Sequence, residues 1–488
     1  MGAIQNPVKL NTAFFWVVLL YAEIYLQMSL YRFFLPGYNG MLCFMKWGAV
    51  VLGLAAFAYA LYMITAKAKY PAAVHQTRSL IHKTQSFESV FLVYVFFWYI
   101  ISVTMSQHFF GSYFKPYYFF NSNDTWMYVT GLTSFLFFPL ANYAGEKRAK
   151  NTIECLLKTI LIPYTFFTAW VLWQFFRGNF VVFPSGQQIL LKNQNMLTLS
   201  ELSHNTLAGQ AMAMCGIALY MITTQKAVQK IFYSFGLIIF TIFIALTNSR
   251  NYWYSTALMI CMAACIIGLD TFKTKKTIVR LLIAAGITII TGLFLHWMRE
   301  ELFVLIQASS TKLSEAGSSA NISPRSIQNN LGTIGNRLPL YKAGLYTIFT
   351  NKYCFLFGYT PSNVIEPLRG VFGVNSTYGY YHMHNFILQM GMSYGFPTML
   401  GTIMFCGSLF IRGIRIIFKH RKTLFHGGWI IPVLALSILA SDMLEAELNS
   451  SELIICPVFY LFAGWMVAID RDAGEKNIGA HPQKEVRT

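Results

Sequence analysis

Charged side chains are scarce. Only 11% of the 488 residues are Asp, Glu, Lys or Arg, whereas 55% are hydrophobic and 17% aromatic; soluble globular chains carry roughly 25% charge. Acidic residues are scarcer than basic ones, 19 against 37, leaving a net charge of +18. The basic residues are spread over short loops and do not gather on one module, so they read as topology determinants, and no nucleic-acid partner is expected. The eight cysteines form neither a disulfide framework nor a CxxC zinc pair; Cys261 and Cys265 share a helix face as small packing residues. Ionisable residues within apolar runs are few: Glu23, Lys46, Lys158 and Asp442. A transporter of lipid-linked glycan or other solute, the alternative function, calls for charged relays near mid-membrane and paired broken helices. A sensor calls for a cytoplasmic effector module, and no cytoplasmic stretch is long enough for one.

What the chain has instead is apolar runs of about 20 residues, the length that spans a bilayer as a helix. They come as solid blocks and not as the alternating pattern of a barrel. Runs at 12–30, 41–64, 88–106, 125–143, 153–176, 205–222, 231–247, 252–269, 279–298, 385–410, 427–443 and 452–469 predict an all-α polytopic membrane protein of about twelve transmembrane helices. The first run carries Glu23 and Gln27 and ends without a small-residue cleavage site, so it reads as a retained span.

Lys and Arg fix the expected orientation. Loop 66–87 holds Lys67, Lys69, Arg78 and Lys83, loop 270–280 holds Lys273, Lys275, Lys276 and Arg280, and loop 411–426 holds Arg412, Arg415, Lys419, Arg421 and Lys422. The intervening short loops hold little beyond Arg32, Lys115, Arg177, Lys192 and Arg250. Both termini are therefore expected in the cytoplasm. The whole of 1–488 reads as one integral membrane domain with a large extracytoplasmic loop, 299–384, between the ninth and tenth spans. In that loop, 308–336 reads as a flexible segment with room for a short helix. An amphipathic helix is predicted from Arg337 to Phe349 and a turn at Gly358-Tyr-Thr-Pro361. The acidic loop Glu445–Glu452 faces outward and either does no more than that or contacts a cationic or hydroxyl-rich ligand.

Several residues on the expected outer face carry chemistry. Arg250 lies in a very short turn, Leu246-Thr-Asn-Ser-Arg-Asn-Tyr252, among Ser249, Asn248 and Asn251. It is either an interfacial anchor or a guanidinium fixed to hold phosphate oxygens. Arg337 is expected at a helix N-terminus, where backbone amides and the guanidinium together favour an anion; the competing reading is a solvated loop arginine. His382-Met-His384-Asn385 opens the tenth span. Two imidazoles at i,i+2 without further ligands are poor support for a metal, so no metal or cofactor is expected. His384 is either an interfacial polar residue or a general base, since histidine titrates near neutrality. Asn205 and Asn385 stand at span starts as caps or substrate contacts. Tyr378, Tyr380 and Tyr381 stack on sugars or form an aromatic belt.

Four ordered segments resemble the O-antigen ligase/polymerase superfamily of bacterial envelope enzymes. They are His204-Asn-Thr-Leu-Ala-Gly209, Leu246-Thr-Asn-Ser-Arg250, Asn336-Arg-Leu-Pro-Leu-Tyr-Lys-Ala343 with Phe357-Gly-Tyr359, and His384-Asn-Phe-Ile-Leu-Gln389 with Gly395. The resemblance covers roughly 200–400. The chain departs from the family pattern at the Gly-x-Gly turn, which is Gly358-Tyr-Thr here, and at Pro339 and Tyr341. The resemblance implies a metal-independent glycosyltransferase of the bacterial cytoplasmic membrane, in O-antigen, capsule or exopolysaccharide synthesis. It implies a glycan donor on a polyprenyl pyrophosphate such as undecaprenyl pyrophosphate, and an acceptor on a glycan, lipid or protein. Membrane lipids and other polysaccharide-assembly proteins complete the implied partners. It further implies Arg250 and Arg337 as pyrophosphate ligands and His384 as the catalytic base; Ser249, Asn385, Asn205 and Tyr381 are expected, from their positions, to support them. Polymerase and ligase differ only in acceptor, and both stay open.

Overall fold

The computed structural model describes residues 30, 86–110, 137–138, 141, 150–177, 183–184, 189–192, 196–199, 204–271, 277–309, 327–360, 364, 367–368, 382–420, 427–446, 448 and 454–479. The expected spans 12–30 and 41–64, most of 125–143, and Tyr381 lie outside them. The described chain is almost wholly helical, and six of its helices are long and apolar enough to cross a membrane. It is a multi-pass helical membrane protein.

In chain order the helices are α1 (Phe87–Phe110), α2 (Lys150–Phe176), α3 (His204–Thr224), α4 (Ala227–Thr247), α5 (Arg250–Thr271) and α6 (Thr277–Ser309). They continue as α7 (Ile327–Thr350), α8 (Lys352–Phe357), α9 (Phe386–Tyr394), α10 (Phe396–Arg415), α11 (Ile430–Asp442) and α12 (Ile455–Gly479). Between α2 and α3 a two-stranded antiparallel ribbon, β1 (Ile189–Lys192) and β2 (Met196–Leu199), pairs Ile189 with Leu199 and Lys192 with Met196. The all-α expectation holds for the described residues apart from this ribbon. Ile189 and Leu197 are fully buried, and β2 packs on α3 and α4.

α3 and α12 form the centre. α3 and the 455–469 part of α12 are apolar all round, as a helix segment without a solvent or lipid face must be. Phe459, Tyr460, Phe462, Trp465 and Met466 of α12 are buried, and Trp465 meets Tyr220 of α3 edge-on at 5.4 Å. Lipid tails are as apolar as leucine, so packing and interhelical polar contacts, more than the hydrophobic effect, hold such a bundle. α6 is the contrary case. Ile278, Leu282, Ile290, Leu293 and Phe294 are exposed along it, which suits a lipid-facing helix.

Three span expectations need correction. The run 279–298 does not stop there, because α6 continues to Ser309 and carries Arg299 inside the helix. The run 427–443 forms only 13 helical residues, α11; at 1.5 Å per residue that falls well short of a hydrocarbon core of about 30 Å. The run 385–410 is broken at Gly395 into α9 and α10. At this break Gly395 has φ 92°, and a Cβ on it would lie 2.3 Å from the Leu356 carbonyl oxygen. Gly358, with φ 71°, meets the Ser393 backbone in the same way at 2.4 Å. Only glycine fits two crossing backbones in these conformations. The crossing is fastened by Tyr359 N donating to Met392 O (2.7 Å) and Thr360 N to Ser393 O (3.1 Å). From α1, Trp98 Nε1 donates to Tyr394 O at 2.9 Å and the Ser102 hydroxyl to Phe357 O at 2.5 Å. The positive-φ Gly358 of the expected turn is there, Pro361 lies outside the described residues, and the contacts of this segment fix where α9 ends.

Candidate active site

The site is assembled from the ends of α3, α4, α5, α9 and α11 and from the middle of α7. Its hub is Glu445, three residues past α11. Of the two readings of the acidic loop, the one that gives it contacts fits this residue: the Glu445 side chain is 1% exposed and both its oxygens are engaged by cationic or polar side chains of this chain. Oε1 accepts from Arg337 Nη2 at 2.8 Å and from Asn205 Nδ2 at 3.3 Å, and Oε2 faces His384 Nδ1 at 2.7 Å. A second hydrogen bond from Arg337 Nη1 reaches the Leu444 carbonyl.

The expectation that Arg337 opens a helix is also corrected. Helix α7 starts ten residues earlier, at Ile327, so no helix-terminal amides surround Arg337. Its anion-binding capacity rests on the guanidinium. Arg337 Nε is buried and has no hydrogen-bond partner among the described residues. Four residues on, the same helix face presents Tyr341, whose hydroxyl donates to the His384 carbonyl at 2.8 Å.

Local structure explains the His-Asn-x-x-Leu-Gln spacing. His384 has φ 49°, a left-handed conformation uncommon for non-glycine residues and held only where surroundings impose it. Its N–H donates to His382 Nδ1 at 3.2 Å and its carbonyl is held by Tyr341. Asn385 is the N-cap of α9, accepting from Leu388 N at 3.0 Å, and its amide donates to the Met443 carbonyl at 2.8 Å. Buried Gln389 accepts from Met383 N at 2.9 Å and donates to the Ser393 hydroxyl at 3.2 Å. The cap and the brace fix the backbone on both sides of His384.

On the opposite side the α4–α5 turn consists of Asn248 and Ser249 alone. The Ser249 hydroxyl donates to Asn205 Oδ1 at 2.6 Å, and Asn205 passes the connection to Glu445. Arg250 follows at the start of α5, and Asn251 donates to the Ser441 carbonyl at 2.7 Å. Asn251, Asn385 and Arg337 thus each hold a carbonyl of the segment that carries Glu445.

Of the expected residues, His384, Arg337, Asn205 and Ser249 join one hydrogen-bonded network. Asn385 and Arg250 border it through the chain. Glu445, Gln389 and Arg299 are additions. Arg299 is 3% exposed, donates to Asn248 Oδ1 at 2.8 Å and lies 5.9 Å from the Trp253 ring centroid.

The electrostatics separate the titratable groups. Burial would raise the Glu445 pKa, but the hydrogen bond and charge of His384 with Arg337 outweigh it and hold the carboxyl near 2. Burial, with His384 and Arg337 beside it, pushes His382 down to about 3, so His382 is neutral at physiological pH. Because Glu445 is ionised, the 2.7 Å contact requires a proton on His384 Nδ1. In the neutral form of the imidazole the lone pair lies on Nε2, the arrangement of a base oriented by a carboxylate. His382, His384 and Glu445 each offer a ligand atom within 4.8 Å of one another. The Arg337 guanidinium on the same carboxylate opposes a metal cation there electrostatically, and the donor set fits an ion-paired base better than a metal centre.

Residues 235–403 match the family described as O-antigen ligase. The match, confined to residues 235–403, supports the resemblance to the O-antigen ligase/polymerase superfamily. The matched segment contains Arg250, Arg337 and His384, while Asn205 and Glu445 stand outside it. No curated protein matches the chain. An O-antigen ligase/polymerase-type activity in a multi-pass membrane protein follows at this level.

Proposed function

We propose that the protein transfers a glycan from a polyprenyl pyrophosphate to an acceptor hydroxyl, as polymerase or ligase of a bacterial envelope polysaccharide. The observation that carries this reading is the Arg337–Glu445–His384 arrangement, a fixed-tautomer imidazole beside an arginine that still has a donor to give.

The acceptor hydroxyl gives its proton to His384 Nε2 as its oxygen attacks the anomeric carbon. The bond from that carbon to the pyrophosphate oxygen breaks, and the electron pair leaves with the diphosphate. Arg250 and Arg337 meet the growing negative charge, and Glu445 stabilises the imidazolium that forms. Direct displacement inverts the anomeric configuration. No metal is required, because the guanidinium groups supply the charge. The unequal placement of Lys and Arg among the loops supports a site on the extracytoplasmic side of the cytoplasmic membrane.

The test is complementation of a deletion strain with wild type, Arg337→Lys or His384→Ala at matched membrane levels, with the surface glycan resolved by length. Loss of long glycan in both variants, with single repeats or unligated lipid-linked glycan accumulating, supports the reading. Normal glycan from His384→Ala sinks it. Purified protein should also consume lipid-linked donor in excess chelator.

A further inference from the structure

The α4–α5 turn is two residues long, and Arg250 follows it directly. Asn248 is left-handed, φ 53° and ψ 25°, and its N–H donates to Ala245 O to close α4. Asparagine tolerates this region better than other non-glycine residues, yet not without cost. Its side chain accepts from Arg299 Nη2 at 2.8 Å, deep in the protein, and the same guanidinium lies over Trp253, three residues beyond Arg250. Arg299 therefore touches the chain on both sides of Arg250. At 3% exposure it is too enclosed to be an interfacial anchor. A buried arginine inside a helix, near the end of its apolar stretch, is costly and is kept where it has a task.

We infer that Arg299 is a positioning residue for the donor site: by clamping Asn248 and Trp253 it sets the α4–α5 turn, and through it the Arg250 guanidinium. This rests on the proposed role of Arg250. A line of contacts continues from Asn248 through its neighbour Ser249 to Asn205, Glu445 and His384, so the clamp also steadies the base from the donor side. Lysine in place of Arg299 keeps the charge but not the planar fork that reaches Asn248 while covering an indole.

The experiment is steady-state transfer with purified full-length protein, varying lipid-linked donor and acceptor separately. Binding of glycan-free polyprenyl pyrophosphate is measured alongside. Arg299→Lys and Asn248→Ala should raise the donor KM tenfold or more, leave the acceptor KM within threefold, and weaken pyrophosphate binding to match. In an Arg250→Ala background the Arg299→Lys change should weaken pyrophosphate binding no further, since its effect passes through Arg250. The inference is overturned if Arg250→Ala weakens donor binding while both variants leave it unchanged, or if the Arg299→Lys penalty persists undiminished without Arg250. Should Arg250→Ala itself leave donor binding intact, the donor reading fails, and the inference fails with it for that separate reason. Arg299→Ala is avoided because it opens a buried cavity.

Discussion

His384 and Glu445 stand 61 positions apart in the chain and meet Nδ1 to Oε2 at 2.7 Å. The carboxylate fixes the imidazole tautomer and is shared with Arg337. Glu445→Gln keeps the shape but removes the charge, freeing His384 to take the other tautomer and leaving its imidazolium without a counter-ion. The expected result is a fall in transfer rate on the order of 10²–10⁴-fold, the range for losing a positioned general base. Single-turnover kinetics with lipid-linked donor reads it, and a rate within threefold of wild type would contradict the assignment.

The acid limb of stability should have two steps. His382 titrates at about 3 when folded against 6.5 unexposed to its neighbours. Below pH 6.5 the unfolded chain binds the extra proton first, so stability falls from there down to about pH 3. Glu445 is depressed from 4.5 to about 2. Its contribution is full above 4.5 and is lost as pH falls towards 2. His382→Asn should abolish the upper step and leave the lower one, measured by thermal unfolding in detergent from pH 6.5 down to about 2, the window those two shifts define.

Gly395→Ala and Gly358→Ala should each be severely destabilising. Either introduces a Cβ against a backbone atom closer than 2.5 Å in a positive-φ conformation, and strain of this kind costs about 1–3 kcal/mol before any overlap is counted. The two sites touch the same crossing, so the double variant should lose less than the sum of the single losses. Membrane abundance and thermal midpoints check this. Full additivity would mean the crossing is not one unit.

The sequence announces most of the helices, because a membrane leaves a backbone few choices and the apolar runs are long. The α4–α5 turn and the start of α9 are legible for the same reason: Asn248, Ser249 and Asn385 interrupt apolar blocks. What apolarity cannot report is a polar residue in protein-filled space. Arg299 marks no end of α6, since the helix runs on past the apolar block that ends at 298. Glu445 reads as one of several acids in a polar loop, and only folding brings Arg337, Asn205 and His384 around it. Glycine at 332 and 335 suggests a loop before Arg337, yet α7 runs through both. Tertiary context overrides propensity there.

A second ion cluster joins α1, α10 and α12, and it should behave as a structural clamp. Arg412 of α10 bonds Glu88 of α1 at 2.7 Å and Asp470 of α12 at 2.9 Å; Arg415 joins Asp470 at 3.0 Å. Glu88 is fully buried and also holds the Ser408 hydroxyl. Three helices are therefore tied at one point, including α1, which braces the glycine crossing. Removing one partner strands a buried charge, which costs about 3–5 kcal/mol, whereas replacing a whole pair with apolar groups of similar size is often neutral. Glu88→Leu should thus lower the thermal midpoint sharply, because Arg412 is left partly buried with only Asp470. Glu88→Leu combined with Arg412→Met should recover much of the loss, since Arg415 still pairs with Asp470. If the double variant is no more stable than Glu88→Leu alone, the clamp draws its strength from the charges themselves, and the same comparison by donor turnover would show whether α1 must be held for the site to form.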